Sequence, residues 1–200
     1  MRIISVDMQR DFSTSGGACF QVRPCVDFIQ KILVPHCRKQ GIQLAEIVSD
    51  YRQPRPGAPF AHCVPGTPGY ESDLPVDIKH AQSWVKCMHS PVWVREHGGM
   101  AAKSPGKPYA DAKGFTNWLA TVVGPPRETN SIVLIGLTLD CCVLCTAQEL
   151  FFRGYRVEFL MEAVDTFTGS QEEKQSLFNV PLANWGQTLS WQELRKRTTR

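Results

Sequence analysis

Four short apolar runs, Ile3 to Val6, Gln43 to Ser49, Ile132 to Ile135 and Arg156 to Met161, are separated by longer stretches of helical pattern, Val22 to Gln40 and Cys142 to Phe152. Short, continuously apolar runs suit strands buried on both faces, and the spacers are long enough to cross from one parallel strand to the next. Arg153-Gly154 ends the second helix with a stop signal. The alternation predicts a doubly wound α/β sheet, whose chemistry gathers at the carboxyl ends of its strands.

A chain of 200 residues, 42% hydrophobic and 20% charged, suits one domain over residues 1–200 that buries about 70% of its unfolded surface. The net charge is +3, but basic residues are scattered except in the tail Arg195-Lys196-Arg197-Thr198-Thr199-Arg200. That tail reads as a solvated terminus, so neither nucleic acid nor a membrane is an expected partner. The N-terminus runs straight into Ile3-Ile4-Ser5-Val6 with no apolar leader, and no run approaches the length of a membrane span. A soluble, cytoplasmic protein with reduced thiols is expected. Cys141, Cys142 and Cys145 lack the second Cys-x-x-Cys or His pair that a structural zinc would need.

Two stretches depart from the alternation. Tyr51 to Tyr70 carries five prolines and three glycines, and Glu96 to Gly114 carries Gly98, Gly99, Pro105, Gly106 and Pro108. Both read as long loops, which in a compact domain tend to wall a pocket.

The chemistry-bearing residues sit where strands end. Cys142 opens a helix just behind the run ending in Gly136, where the helix dipole and unpaired N–H groups favour a thiolate. Asp7 closes the first strand, where burial would suit a general base, although an aspartate there is also ordinary turn chemistry. Asp11 reads as a turn residue. Lys86 ends the shorter patch Ser83-Trp84-Val85, and a lysine beside a carboxylate and a thiol would stabilise both anions.

Val6-Asp7-Met8-Gln9-Arg10-Asp11-Phe12, the loop His62 to Gly69, Lys86 with Ser90, and Gly136 to Val143 followed by Thr146-Ala147 occur in an order that resembles the isochorismatase-like cysteine hydrolases. That group includes nicotinamidases and N-carbamoylsarcosine amidase. The resemblance implies a three-layer, mostly parallel six-stranded sheet with helices on both faces. It further implies Asp7 as proton acceptor, Lys86 as partner of both anions, Cys142 as nucleophile, a cis Leu137-Thr138 peptide, and the N–H groups of Thr138 and Cys142 as oxyanion hole. Arg95, at the end of Val92-Trp93-Val94, rivals Lys86 for the cation position. A homo-oligomer is expected, since family pockets are often completed by a neighbouring subunit.

Nicotinamidases carry an Asp-x-His pair and further histidine ligands, whereas this chain has Asp50-Tyr51-Arg52 and no histidine before His62. Two candidate ligands are too few for a firm site, so no metal and no other cofactor is expected. Phe12, Arg52 and Arg55 are the expected substrate contacts, the arginines as forks for a carboxylate. The leading function is hydrolysis of a small amide through a thioester on Cys142, with a nicotinamidase, a silent scaffold and a redox-responsive thiol protein as alternatives.

Overall fold

Ile3 and Ile4 are both fully buried yet feed different cores, because successive side chains of a strand point to opposite faces. The computed structural model describes residues 2–55, 59–127, 131–180 and 182–199. Pro56 and Gly57 of the proline-rich loop and Arg200 of the basic tail lie outside the described residues.

The strands are β1 (Arg2–Val6), β2 (Leu44–Ser49), β3 (Trp84–Lys86), β4 (Trp93–Val94), β5 (Tyr109–Ala110), β6 (Ser131–Leu137), β7 (Arg156–Asp165) and β8 (Gln187–Leu189). Six of them form one parallel sheet in the order β3-β2-β1-β6-β7-β8, and β4 pairs antiparallel with β5. The helices are α1 (Arg10–Ser13), α2 (Pro24–Phe28), α3 (Val34–Gln40), α4 (Ala112–Val122), α5 (Leu144–Phe152), α6 (Gln171–Asn179) and α7 (Trp191–Thr198). A π-helical turn, Ile29–Leu33, joins α2 to α3, and a second, Leu139–Val143, precedes α5.

One face of the sheet is covered by α4, α5 and α6 through Phe115, Leu119, Ala147, Leu150 and Phe178, packed on Ile4, Ile47 and Leu134. The other is covered by α2, α3 and α7 through Val26, Val34, Cys37 and Leu194, packed on Ile3, Leu44 and Val133. This is the expected three-layer α/β architecture, with the sheet wholly parallel.

The second irregular stretch is shorter than the sequence suggests, because α4 begins at Ala112, capped by Asp111, whose side chain accepts the Gly114 N–H. Within the basic tail, Arg195, Lys196 and Arg197 form the last turn of α7, and Arg197 pairs with the buried Glu158. Among the described residues no helix is long and apolar enough to cross a membrane.

The strand order reverses between β1 and β6, which places a crevice at their carboxyl ends. Gly136 makes that junction close: its φ is +106°, and a Cβ there would lie 2.1 Å from the Val6 carbonyl oxygen.

Candidate active site

Asp7 and Thr138 follow the ends of β1 and β6, Lys86 is the last residue of β3, and parallel pairing brings those ends to one edge of the sheet. Lys86 and Asp7 are fully buried, and Cys142 is 3% exposed. Lys86 Nζ has four partners within hydrogen-bond reach of its three N–H groups: Asp7 Oδ2 at 2.8 Å, Ser49 Oγ at 2.6 Å, Tyr51 Oη at 2.6 Å and Cys142 Sγ at 3.2 Å. Ser49 Oγ in turn donates to Asp7 Oδ1 at 2.8 Å, and Tyr51 Oη donates to the Met88 carbonyl at 3.0 Å. A buried ammonium is tolerated only when paired and hydrogen-bonded, and this one is surrounded by acceptors. Arg95 lies elsewhere, donating to Gln53.

The backbone is arranged to hold this geometry. Asp7 has a φ of +50°, a left-handed conformation that costs a non-glycine residue of order 1–3 kcal/mol. It is held there by its own N–H on the Ile47 carbonyl at 2.9 Å and by its two side-chain partners. Gln9 clamps β2 to the same loop: its amide donates to the Ser49 carbonyl at 3.0 Å and its oxygen accepts the Ser49 N–H at 2.7 Å. Asp11 is more than a turn residue, because its carboxylate accepts the N–H groups of Ala18 at 3.1 Å and Cys63 at 2.5 Å and so fastens the His62 to Gly69 loop to α1.

Burial dominates the protonation of the site. It pushes the Cys142 thiol up to about 12, with Lys86 pulling the other way and Asp7 adding to the rise. Removal of the sulfur from water outweighs the pull of the cation. Burial also opposes the charge on Lys86, but the Asp7 carboxylate, by its charge and its hydrogen bond, helps hold the ammonium well above the ordinary lysine range. The resting site is a neutral thiol beside a buried cation. Burial likewise keeps Tyr51 a protonated phenol, well above the usual range.

A cavity of about 250 Å³ opens over Cys142, lined by Phe12, Arg55, Phe60, His62, His89, Thr138 and Phe167 among others. Phe12, Arg55, Thr138 and Cys142 thus share one chamber, and Leu137-Thr138 is a cis peptide. Arg52 is not part of the wall. Its guanidinium forks onto the fully buried Asp50, with Nε at 2.9 Å from Oδ1 and Nη2 at 2.5 Å from Oδ2, and Nη1 donates to the carbonyls of Met100 and Lys103. The expected substrate contact at Arg52 is corrected: it satisfies an internal carboxylate. Cys141 also lines the cavity.

Tyr51 and Ser49 were not singled out from the sequence. Their position at the end of β2, equivalent to that of Asp7 on β1, was the available signal.

Asp50 and His62, the two metal candidates, do not suit an ion. The Asp50 oxygens take Arg52 and the Gly99 N–H at 3.0 Å, while Arg55 Nη1 lies 3.5 Å from His62 Nε2, placing a cation where an ion would sit. Among the described residues no three His, Cys, Asp or Glu side chains group as metal ligands would.

Residues 112–193 match the family model described as the isochorismatase domain, a segment that contains Thr138 and Cys142 but neither Asp7 nor Lys86. No curated protein matches the chain. Solved structures share the fold from end to end. An isochorismatase-like hydrolase from Alkaliphilus metalliredigens is 19% identical with a TM-score of 0.66, the match covering 98% of this chain and 97% of that one. A cysteine hydrolase from Pseudomonas syringae pv. phaseolicola 1448A is 15% identical with a TM-score of 0.65, covering 98% and 91%. A pyrazinamidase of Pyrococcus horikoshii in complex with zinc is 22% identical with a TM-score of 0.63, covering 95% and 98%. The isochorismatase domain model thus matches residues 112–193, from α4 into α7, and the fold of isochorismatase-like hydrolases is shared throughout.

Proposed function

We propose that the protein hydrolyses the C–N bond of a small amide, with Cys142 as nucleophile, Asp7 as proton acceptor and Lys86 as the charge that stabilises the thiolate. The observation that carries this reading is the position of Lys86 Nζ, 2.8 Å from Asp7 and 3.2 Å from Cys142 Sγ, in a buried cluster beneath a small chamber.

Asp7 takes the thiol proton as the sulfur attacks the amide carbon, so the anion forms next to an ammonium already in place. The carbonyl oxygen gains the negative charge of the tetrahedral intermediate. Thr138, which caps the π-helical turn, and Cys142, near its end, offer backbone N–H groups toward that oxygen. Asp7 returns its proton to the departing ammonia or amine, leaving an acyl group on sulfur. Water then gives a proton to Asp7 and its hydroxyl to the acyl carbon; the thioester C–S bond breaks, and the sulfur regains a proton. No step uses a metal, since the Asp50 and His62 region does not fit one.

The test is ammonia release from a panel of small amides by the wild type and by Cys142→Ala. Release that disappears in the variant supports the reading. Release that survives the substitution, or none from any member of a broad panel, opposes it. Nicotinamide belongs in the panel because several similar folds are described as nicotinamidases or pyrazinamidases.

A further inference from the structure

We propose that Arg55 is the anion-binding residue of the Cys142 chamber, and that the substrate is a small amide bearing a carboxylate. The inference rests on the hydrolase reading above and adds the substrate class to it.

Among the described residues Arg55 has no counter-charge. Its Cζ lies 3.4 Å from the centroid of the Tyr51 ring, and its Nη1 and Nη2 meet only the Nε2 atoms of His62 at 3.5 Å and His89 at 3.4 Å. Its Nε is buried with no hydrogen-bond partner. The histidines do not compensate it. Burial depresses both below the ordinary histidine range, and the guanidinium itself adds to the effect, so each presents a neutral ring.

The neighbouring cations have full sets of partners. Lys86 has Asp7, Arg52 has Asp50, and Arg23 is wrapped by the carbonyls of Phe12, Cys19, Thr166 and Phe167. Two further carboxylates lie nearby and both are engaged elsewhere: Asp140 accepts the Phe167 N–H at 3.0 Å, and Asp11 holds Ala18 and Cys63. Among the described residues none forms an ion pair with Arg55. A planar guanidinium that faces a cavity with free N–H groups is built for the two oxygens of a carboxylate.

The chamber sets the size of the ligand. About 250 Å³ lies below the roughly 300–1,000 Å³ of sites for drug-sized molecules. Phe12, Phe60 and Phe167 supply apolar walls for a short carbon chain between the carboxylate on Arg55 and the amide at Cys142. Half-amides of short dicarboxylic acids have this form. Arg55 and His89 also border a second cavity of about 390 Å³ with Met88, Ser90 and Trp93, so Arg55 stands between the nucleophile's chamber and that outer space.

The test compares succinamate and glutaramate with butyramide and valeramide, in the wild type, Arg55→Gln and Arg55→Lys. The wild type should prefer the charged amides by roughly 100-fold in kcat/KM, Arg55→Gln should erase the preference, and Arg55→Lys should restore part of it. Binding of succinate to Cys142→Ala, followed by calorimetry with and without Arg55→Gln, reads the same site without turnover. Succinate held through Arg55 with no amide hydrolysed would uphold the anion site while the hydrolase reading fails. Equal use of charged and neutral amides, or succinate binding indifferent to Arg55→Gln, would overturn the proposal.

Discussion

Two buried carboxylates end adjacent strands of the sheet, and they do different work. Asp7, after β1, and Asp50, after β2, are both fully buried and both paired with a cation. Asp50 is saturated: Arg52, two residues away, covers both oxygens, and the Gly99 N–H completes it. The result is a clamp between the end of β2 and the segment near Met100 and Lys103. Asp7 is paired with a cation from a different strand, and that cation also reaches Cys142. Burial alone does not mark a functional carboxylate. What distinguishes Asp7 is a partner whose remaining donors lead to a nucleophile beside a cavity.

The largest effect should come from breaking the first pair. Lys86→Met leaves the Asp7 carboxylate buried without its cation, which should cost about 3–5 kcal/mol of stability and remove amide turnover. Urea denaturation and ammonia release check the two parts. Neutralising the second pair in the double variant Asp50→Asn/Arg52→Gln removes both charges together, so stability should change by less than about 2 kcal/mol and turnover should persist. Loss of turnover in that double variant with the fold intact would break the contrast between the pairs.

Tyr51→Phe should have an intermediate effect. It removes a hydroxyl that lies 2.6 Å from Lys86 Nζ and donates to Met88, which should cost about 1–3 kcal/mol in thermal or chemical denaturation. Turnover should fall but survive, because Asp7 and Cys142 remain on the ammonium.

The pH dependence follows from the thiols. Burial raises Cys142 to about 12, and it also raises Cys37, to about 12, from an ordinary value of 9.0. Groups raised on folding stabilise the native state fully below their unfolded value and lose that contribution as pH rises through the folded one. Melting temperature should therefore decline between about pH 9 and pH 12. Alkylation of Cys142 in the absence of substrate should keep rising over the same interval, where a free thiol would already have levelled off.

The smallest effect belongs to Cys141→Ala. Cys141 lines the chamber but does not contact Lys86, and burial holds its thiol above the ordinary range with Asp140 adding to the rise. Turnover should stay within about twofold, a change of less than about 0.5 kcal/mol in the barrier.

The sequence made the centre of the sheet legible and its edges less so. β1, β2, β6 and β7 are mostly apolar runs because both of their faces are covered. β8 escaped notice: it is three residues long, two of them exposed, at the edge of the sheet. Helices α4, α6 and α7 were also missed, although Asp111, Ser170 and Ser190 cap them through side chains. In the site, Asp7, Lys86 and Cys142 stood out because each follows an apolar run. Tyr51 did not, because its role depends on the pairing of β2 with β3. Arg52 and Arg55 are indistinguishable by residue type, and only the three-dimensional position of Asp50 separates the clamp from the chamber wall.

The central claim is that Cys142 carries the acyl group of a small amide, and acid-quenched mass spectrometry during turnover tests it most directly. The account predicts an added mass equal to the acyl moiety, mapped to the peptide containing Cys142, transient in the wild type and absent in Cys142→Ala. Steady turnover with the acyl group on another residue would contradict it.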